Sequence, residues 1–273
     1  MPEKKNMKSL YCYRLSVLLT LLSLSLGSLG AKEIGYRNQG SAPALSGKIY
    51  VLTCYVSETG WSDQEVDSIT DLILEAEDWL VEQAGNYGKD VTFVNGTEGL
   101  DTPLLYDHIV SGTGSGDEPV DLVSKLMPKI GFKNGLEFTK WVHNYTDCDG
   151  CMVLIVANKP GRGYSMTYNN SYDAKTYFLE GAMLYSSYSD GRPYCAASIA
   201  HEMCHLFGAE DLYATFIQTE ENEARARELF PDDIMLGVSY DINEKKIDRM
   251  TAWLIGLTDE MEDWYLDLLY END

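Results

Sequence analysis

The eleven residues from His201 to Asp211 read H-E-x-x-H-x-x-G-x-x-D, and no other stretch restricts the fold and chemistry of this chain as tightly. On a helix, residues four apart share a face about one turn (~5.4 Å) from each other, so the imidazoles of His201 and His205 can reach a single metal ion. Glu202 then lies beside that ion without ligating it, where a carboxylate can take a proton from a metal-bound water. Gly208 tolerates the left-handed turn that ends a helix and swings the chain back, which brings Asp211 round as a third ligand. Three protein ligands leave a fourth position to water, the feature that separates a catalytic from a structural zinc. Two histidines at this spacing also occur on ordinary half-buried helix faces. Here, however, Gly208 and Asp211 continue the pattern, and Ala196, Ala197, Ile199 and Ala200 before it read as a buried helix.

The segment resembles the zinc-binding helix of the metzincin clan of zincin metallopeptidases, in the variant whose third ligand is aspartate. Downstream, Asp233-Ile234-Met235 resembles the Met-turn, in which a methionine forms an apolar floor beneath the histidine ligands. The resemblance covers residues 194–257. It implies His201, His205 and Asp211 as ligands of one catalytic Zn2+, Glu202 as general base and Met235 as the turn methionine. It also implies a zincin-like α+β fold: a twisted mixed sheet, an active-site helix, a third ligand after a glycine turn and a C-terminal helical part. The activity implied is that of a secreted zinc metallopeptidase acting on a protein or peptide substrate. Two positions depart from the common pattern. Many members carry histidine where this chain has Asp211, and tyrosine two residues beyond the methionine where this chain has Gly237; Tyr240 is the nearest downstream phenol.

Other carboxylates compete for the third ligand position. Glu210 adjoins Asp211, and Glu220, Glu221 and Glu223 lie on a later helical stretch, where a gluzincin-type peptidase would place its glutamate. The run from Glu220 to Glu228 also contains Arg225 and Arg227 and reads more simply as a solvated helix face. Gly208 gives a physical reason for the chain to reverse at the short spacing, which favours Asp211. Two further readings share the motif: a catalytically inactive zincin-fold binding or structural module, and zinc hydrolysis of a non-peptide amide.

The first thirty residues carry Lys4, Lys5, Lys8 and Arg14, then an apolar run from Leu15 to Leu26, then small residues at Ser28, Gly30 and Ala31. This is the pattern of a signal peptide, with cleavage expected near Gly30 or Ala31 and a retained anchor as the alternative. No later stretch is apolar enough to span a bilayer. Removing residues 1–30 takes away four basic residues and one acidic one, so the formal charge moves from −22 to −25. Such a field repels nucleic acid and anionic membrane surfaces, so neither is an expected partner. Residues 31–47 read as a flexible lead-in, and 48–273 suffice for a single catalytic domain. Five cysteines follow the leader, Cys54, Cys148, Cys151, Cys195 and Cys204, so at least one is unpaired in a monomer. Cys148 and Cys151 read as a local disulfide or two plain thiols.

Along the chain, Lys48 to Val56 is strand-like, and Ser62 with Glu65 forms a capping box for a helix to about Ala84. Val91 to Val94 reads as a short strand, Gly112 to Gly116 as a loop, and Pro119 as the opening of a helix through Met127. The continuous apolar run Met152 to Ala157 suits a strand buried on both faces, followed by a loop over Lys159 to Gly163. Residues 177–187 are the candidate sheet rim for holding an extended peptide, and Pro193 the first residue of the metal helix. Asp248 to Leu257 and Thr258 to Leu269 read as closing helices, with Trp253, Met261, Trp264 and Leu268 as core contacts.

Overall fold

The structure, a computed structural model, describes residues 37–101, 123, 125–167, 179–215 and 218–269. The chain divides into two units, Met1–Ile34 and Gly35–Asp273, and the first lies outside the described residues. So do the expected signal peptide, the Gly112–Gly116 loop and the Pro119 helix start. No helix among the described residues is long and apolar enough to cross a membrane.

The second unit is built on a five-stranded mixed sheet. In chain order the elements are β1 (Gly47–Ser57), α1 (Asp63–Asn86), β2 (Val91–Asp101), α2 (Gly135–Tyr145), β3 (Gly150–Gly161), β4 (Tyr164–Met166) and β5 (Gly181–Tyr188). They continue with α3 (Ala196–Leu206), α4 (Glu220–Leu229), α5 (Arg249–Leu254) and α6 (Tyr265–Leu269). The strand order is β2-β1-β3-β5-β4; β2, β1, β3 and β5 run parallel, and β4 is antiparallel to β5. This is the expected mixed sheet with helices.

Parallel strands need both faces covered, and the sequence supplies this at β3, where Gly150 to Ala157 are all buried. Tyr50 and Tyr55 of β1 lie five positions apart, an odd offset, and therefore face opposite sides. Tyr55 Oη meets Thr70 Oγ1 of α1 at 2.8 Å. Tyr50 instead packs edge-on against Phe138 and Trp141 of α2, at 6.0 and 5.8 Å between ring centroids. Each helix thus seals one face, and α3 lies against α1 and β4 on the Tyr55 side. The Ser62 capping box forms as expected: its hydroxyl accepts from Glu65 N, and the Glu65 carboxylate accepts from Ser62 N at 2.8 Å.

Several expectations change. β2 runs on to Asp101 in register with the whole of β1, rather than stopping at Val94. β3 continues through Pro160 to Gly161 across an irregularity after Ala157, so most of the expected 159–163 loop is strand. In the described part of the 177–187 segment, β5 pairs with β3 on one side and, over Gly181–Met183, with β4 on the other, so along that stretch the sheet edge is β4. Pro193 sits in an isolated bridge with Ser187, and the metal helix starts at Ala196 with Cys195 as its cap. The closing helices shrink to α5 and α6. Residues 37–46 form no strand or helix, yet they are not a loose lead-in: Ala42 and Leu45 are fully buried. The reason is Glu180, whose Oε2 accepts from Ser41 N, Ala42 N and the Ser41 hydroxyl at 2.8–3.1 Å. Cys148 and Cys151, like Cys54, Cys195 and Cys204, are buried free thiols, so the local disulfide is absent.

One buried charge on α1 has a measurable consequence. Glu77 is only 4% exposed; its Oε2 accepts from Asn95 Nδ2 at 2.7 Å, while Oε1 has no partner. Burial raises its pKa from 4.5 to about 7, against the opposing pull of the Asn95 hydrogen bond. The folded state therefore binds this proton before the unfolded chain does, so its contribution to stability grows as pH falls from above 7 towards 4.5, by about 3 kcal/mol. Glu77→Gln is expected to remove that slope. Urea unfolding at pH 8 and pH 5 should show the variant gaining on the wild type at pH 8 and losing the advantage at pH 5.

Candidate metal centre

Helix α3 is the most buried helix of the fold's centre: ten of its eleven residues, His201 and Glu202 among them, are inaccessible or nearly so. Alanine-rich apolar packing before the motif makes this affordable, since a helix satisfies its own backbone groups wherever it lies. The helix ends as the sequence predicts. Gly208 takes φ +103°, its N–H returns to His205 O at 2.9 Å, and Ala209 N–H returns to Cys204 O at 3.0 Å. These two bonds form a Schellman motif, and they reverse the chain within one residue of where Asp211 needs it.

His201, His205 and Asp211 come together, with one potential ligand atom from each inside a mutual span of 4.8 Å. Asp211 Oδ1 lies 3.3 Å from His201 Nε2 and 3.2 Å from His205 Nε2. Yet this buried oxygen has no hydrogen-bond partner. The reason lies at the other ring nitrogens. His201 Nδ1 is 3.0 Å from the Ile234 carbonyl and His205 Nδ1 is 2.8 Å from the Ala209 carbonyl. A carbonyl only accepts, so each Nδ1 carries a proton, and in the neutral ring it is Nε2 that turns a lone pair towards the carboxylate. Three acceptors facing one another repel unless a cation lies between them. With bonds of about 2.0–2.1 Å, the edge of a tetrahedron around zinc is roughly 3.3 Å, which matches both N···O separations. The donor set, two imidazoles and a carboxylate, also suits zinc.

Without a cation the same crowding shows as charge. Burial disfavours a charged His205, but the Asp211 carboxylate outweighs it and raises the imidazole pKa to about 10. Burial works against ionised Asp211 as well, yet His205 and His201 hold it far below the usual carboxylate range. Glu210, the adjacent competitor, is pushed up to about 7, chiefly by burial, and its side chain is not part of the convergence. Glu220 and Glu221 lie exposed on α4, while Glu223 accepts from Ala214 N–H and from Arg227 Nε. None of the α4 carboxylates joins the cluster found among the described residues.

The Asp233-Ile234-Met235 segment is a 3-10 turn over Ile234–Leu236 that meets the centre through His201. Met235 is fully buried. Its carbonyls hold two parts of the site: Ile234 O takes His201 Nδ1–H, and Met235 O takes Leu212 N–H beside Asp211, at 2.9 Å. Asp233, fully buried, pins the turn by accepting from Met235 N–H at 2.7 Å and Asp248 N–H at 2.9 Å. Burial raises its pKa to about 6 against those bonds.

Glu202 faces the edge strand. Its Oε2 accepts from the Ser165 hydroxyl at 2.7 Å. Gly163 leaves the room this requires, since a Cβ there would stand 2.9 Å from Glu202 Oε1 and 2.3 Å from Tyr194 Oη. Tyr240 is half exposed and its hydroxyl reaches Pro193 O at 3.4 Å, so this phenol is engaged away from the histidines. The phenol beside the centre is Tyr213, whose ring lies over His201 with centroids 6.1 Å apart at 28°. Arg162 Nη2 donates to its oxygen at 3.4 Å. Burial first, and the Asp211 charge second, keep this phenol protonated. Neither Ser165 nor Tyr213 is visible in the motif, because one comes from a three-residue strand and the other from an irregular segment.

No protein-family model and no curated protein matches the chain. Among solved structures, metalloproteinase-II from Bacteroides fragilis is similar over 83% of this chain, at 12% identity and a TM-score of 0.37. The chain spans 57% of that protein's length. A zinc-dependent peptidase from Methanocorpusculum labreanum is similar over 75% of this chain and 99% of its own, at 14% identity and a TM-score of 0.33. Likeness at this level leaves the chemistry to be read from this chain's own residues.

The Asp233 carboxylate joins the turn to the segment before α5 through two backbone N–H groups. Asp233→Ala removes two buried backbone hydrogen bonds and is expected to destabilise the protein by roughly 2–4 kcal/mol, measured by urea unfolding. Loss of less than about 0.5 kcal/mol would mean the turn is held by other contacts.

Proposed function

We propose that this chain is a zinc-dependent metallopeptidase in which His201, His205 and Asp211 hold the metal and Glu202 is the general base. The observation that carries the reading is the buried Asp211 oxygen, unpaired and 3.2–3.3 Å from two imidazole nitrogens whose protons are committed elsewhere. When bound, zinc would supply a water acidified towards a pKa of ~7 and a Lewis acid for the scissile carbonyl.

The chain's own residues account for the proton movements and the positioning. Glu202 takes a proton from the attacking water as its oxygen bonds to the carbonyl carbon. The same carboxyl returns that proton to the amine nitrogen as the C–N bond breaks. Ser165 donates to Oε2 and holds the carboxylate in one orientation, leaving Oε1 for the proton. β4 carries Ser165 and lies at the sheet edge among the described residues, the position at which an extended peptide can add as a further strand. This favours a peptide over a compact amide substrate. The N-terminal pattern of residues 1–30 supports export of the enzyme.

Glu202→Gln is expected to retain about one zinc per chain by elemental analysis while hydrolysis of casein falls below detection. Retained turnover would remove Glu202 from the base role. Asp211→Ala should lose the metal, and Glu221→Ala should keep it; the reverse result would transfer the ligand to α4. Wild-type protein that binds zinc stoichiometrically but shows no chelator-sensitive hydrolysis would favour a non-catalytic zincin-fold module.

A further inference from the structure

The common position for a catalytic phenol in the resembled family holds Gly237 here, and the nearest downstream phenol, Tyr240, is turned to Pro193 O. A hydrolytic centre of this kind still has to stabilise negative charge as it develops on the scissile carbonyl oxygen, and a fixed hydrogen-bond donor is the usual means. Three observations on Tyr213 converge on that task. Its ring lies over His201, one of the two imidazoles that flank Asp211 Oδ1, at 6.1 Å and 28°. Tyr213 follows Asp211 by two residues, and the N–H of Leu212 between them is held by Met235 O at 2.9 Å, which fixes the phenol's segment against the turn that also holds His201. Its oxygen accepts from Arg162 Nη2, and among the described residues no acceptor takes its own O–H.

We propose that Tyr213 is a catalytic residue that donates its O–H to the developing oxyanion, and that Arg162 is the positioning residue that aims it. This rests on the metallopeptidase reading above. Arg162 fits the role because it follows Gly161, the last residue of β3, and is exposed, with Tyr213 as its hydrogen-bond partner. A cation donating to the phenol oxygen both fixes the rotation of the hydroxyl and strengthens it as a donor. A hydroxyl already committed to a protein acceptor would not be free to meet a charge that exists only in the transition state.

The test uses zinc-loaded wild type, Tyr213→Phe, Arg162→Met and Tyr240→Phe. It compares steady-state casein-peptide kinetics with the affinity of a phosphinic analogue of the cleaved bond, which presents a tetrahedral anionic centre. Tyr213→Phe is expected to lose roughly 100-fold in kcat with KM little changed, and to lose analogue affinity by a similar factor, while zinc content and Tm stay at wild-type values. Arg162→Met should move both quantities in the same direction by less, and this exposed substitution keeps the question answerable if Tyr213→Phe fails to fold. Tyr240→Phe should change neither. Unchanged kcat in Tyr213→Phe, a rise in KM alone, loss of zinc, or a kcat loss confined to Tyr240→Phe would each overturn the proposal. Wild-type protein with neither zinc nor hydrolysis would instead overturn the underlying reading.

Discussion

Three acceptor atoms pushed together in a poorly solvated place are the constraint around which this molecule is organised. His201 Nε2, His205 Nε2 and Asp211 Oδ1 repel one another unless a cation sits among them, and the protein holds them there from behind. Each imidazole is anchored by a backbone carbonyl, Ile234 O for one and Ala209 O for the other, so neither ring can turn to relieve the repulsion. In the metal-free fold a proton on His205 answers the Asp211 carboxylate, and a bound cation would take that proton's place, so metal binding is coupled to proton release.

The carbonyl anchors explain why two distant segments are tied so firmly to α3. The turn at Ile234–Leu236 has to stay within hydrogen-bond reach of His201, and Asp233 secures it through two backbone N–H groups, one in the turn and one at Asp248 before α5. Burying that carboxylate works against its charge, as its pKa of about 6 records. On the other side, the edge strand β4 supplies Ser165 to Glu202, so the sheet edge also orients the motif's carboxylate. Single hydrogen bonds thus tie the sheet edge to Glu202 and the turn to His201, and this holds the clustered side chains within narrow tolerances.

Sequence periodicity located the large elements because their causes are local. Ser62 and Glu65 cap α1 within four residues, the apolar run at Met152 to Ala157 needs no partner to be read as a buried strand, and Gly208 marks its own left-handed turn. Errors gathered where pairing decides the outcome. β2 extends to Asp101 because β1 offers a full-length parallel ladder, and the polar segment before β1 is packed because Glu180, far away in sequence, collects its N–H groups. The rim moved from 177–187 to β4 for the same reason: strand order is set by which edges meet, and nothing in a strand's own composition records it.

By itself, then, the order of residues determined the helix of the H-E-x-x-H motif, its glycine stop, the candidate ligands His201, His205 and Asp211, the candidate base Glu202 and the turn at Met235, all of them expressed in short-range spacing. Only the tertiary structure decided the tautomers of the histidines, the unpaired state of Asp211 Oδ1, the Ser165 contact to Glu202 and the place of Tyr213 over His201. Those features depend on atoms 4 to 37 residues apart meeting within a few ångströms, and such meetings are fixed by packing and strand order rather than by any local pattern.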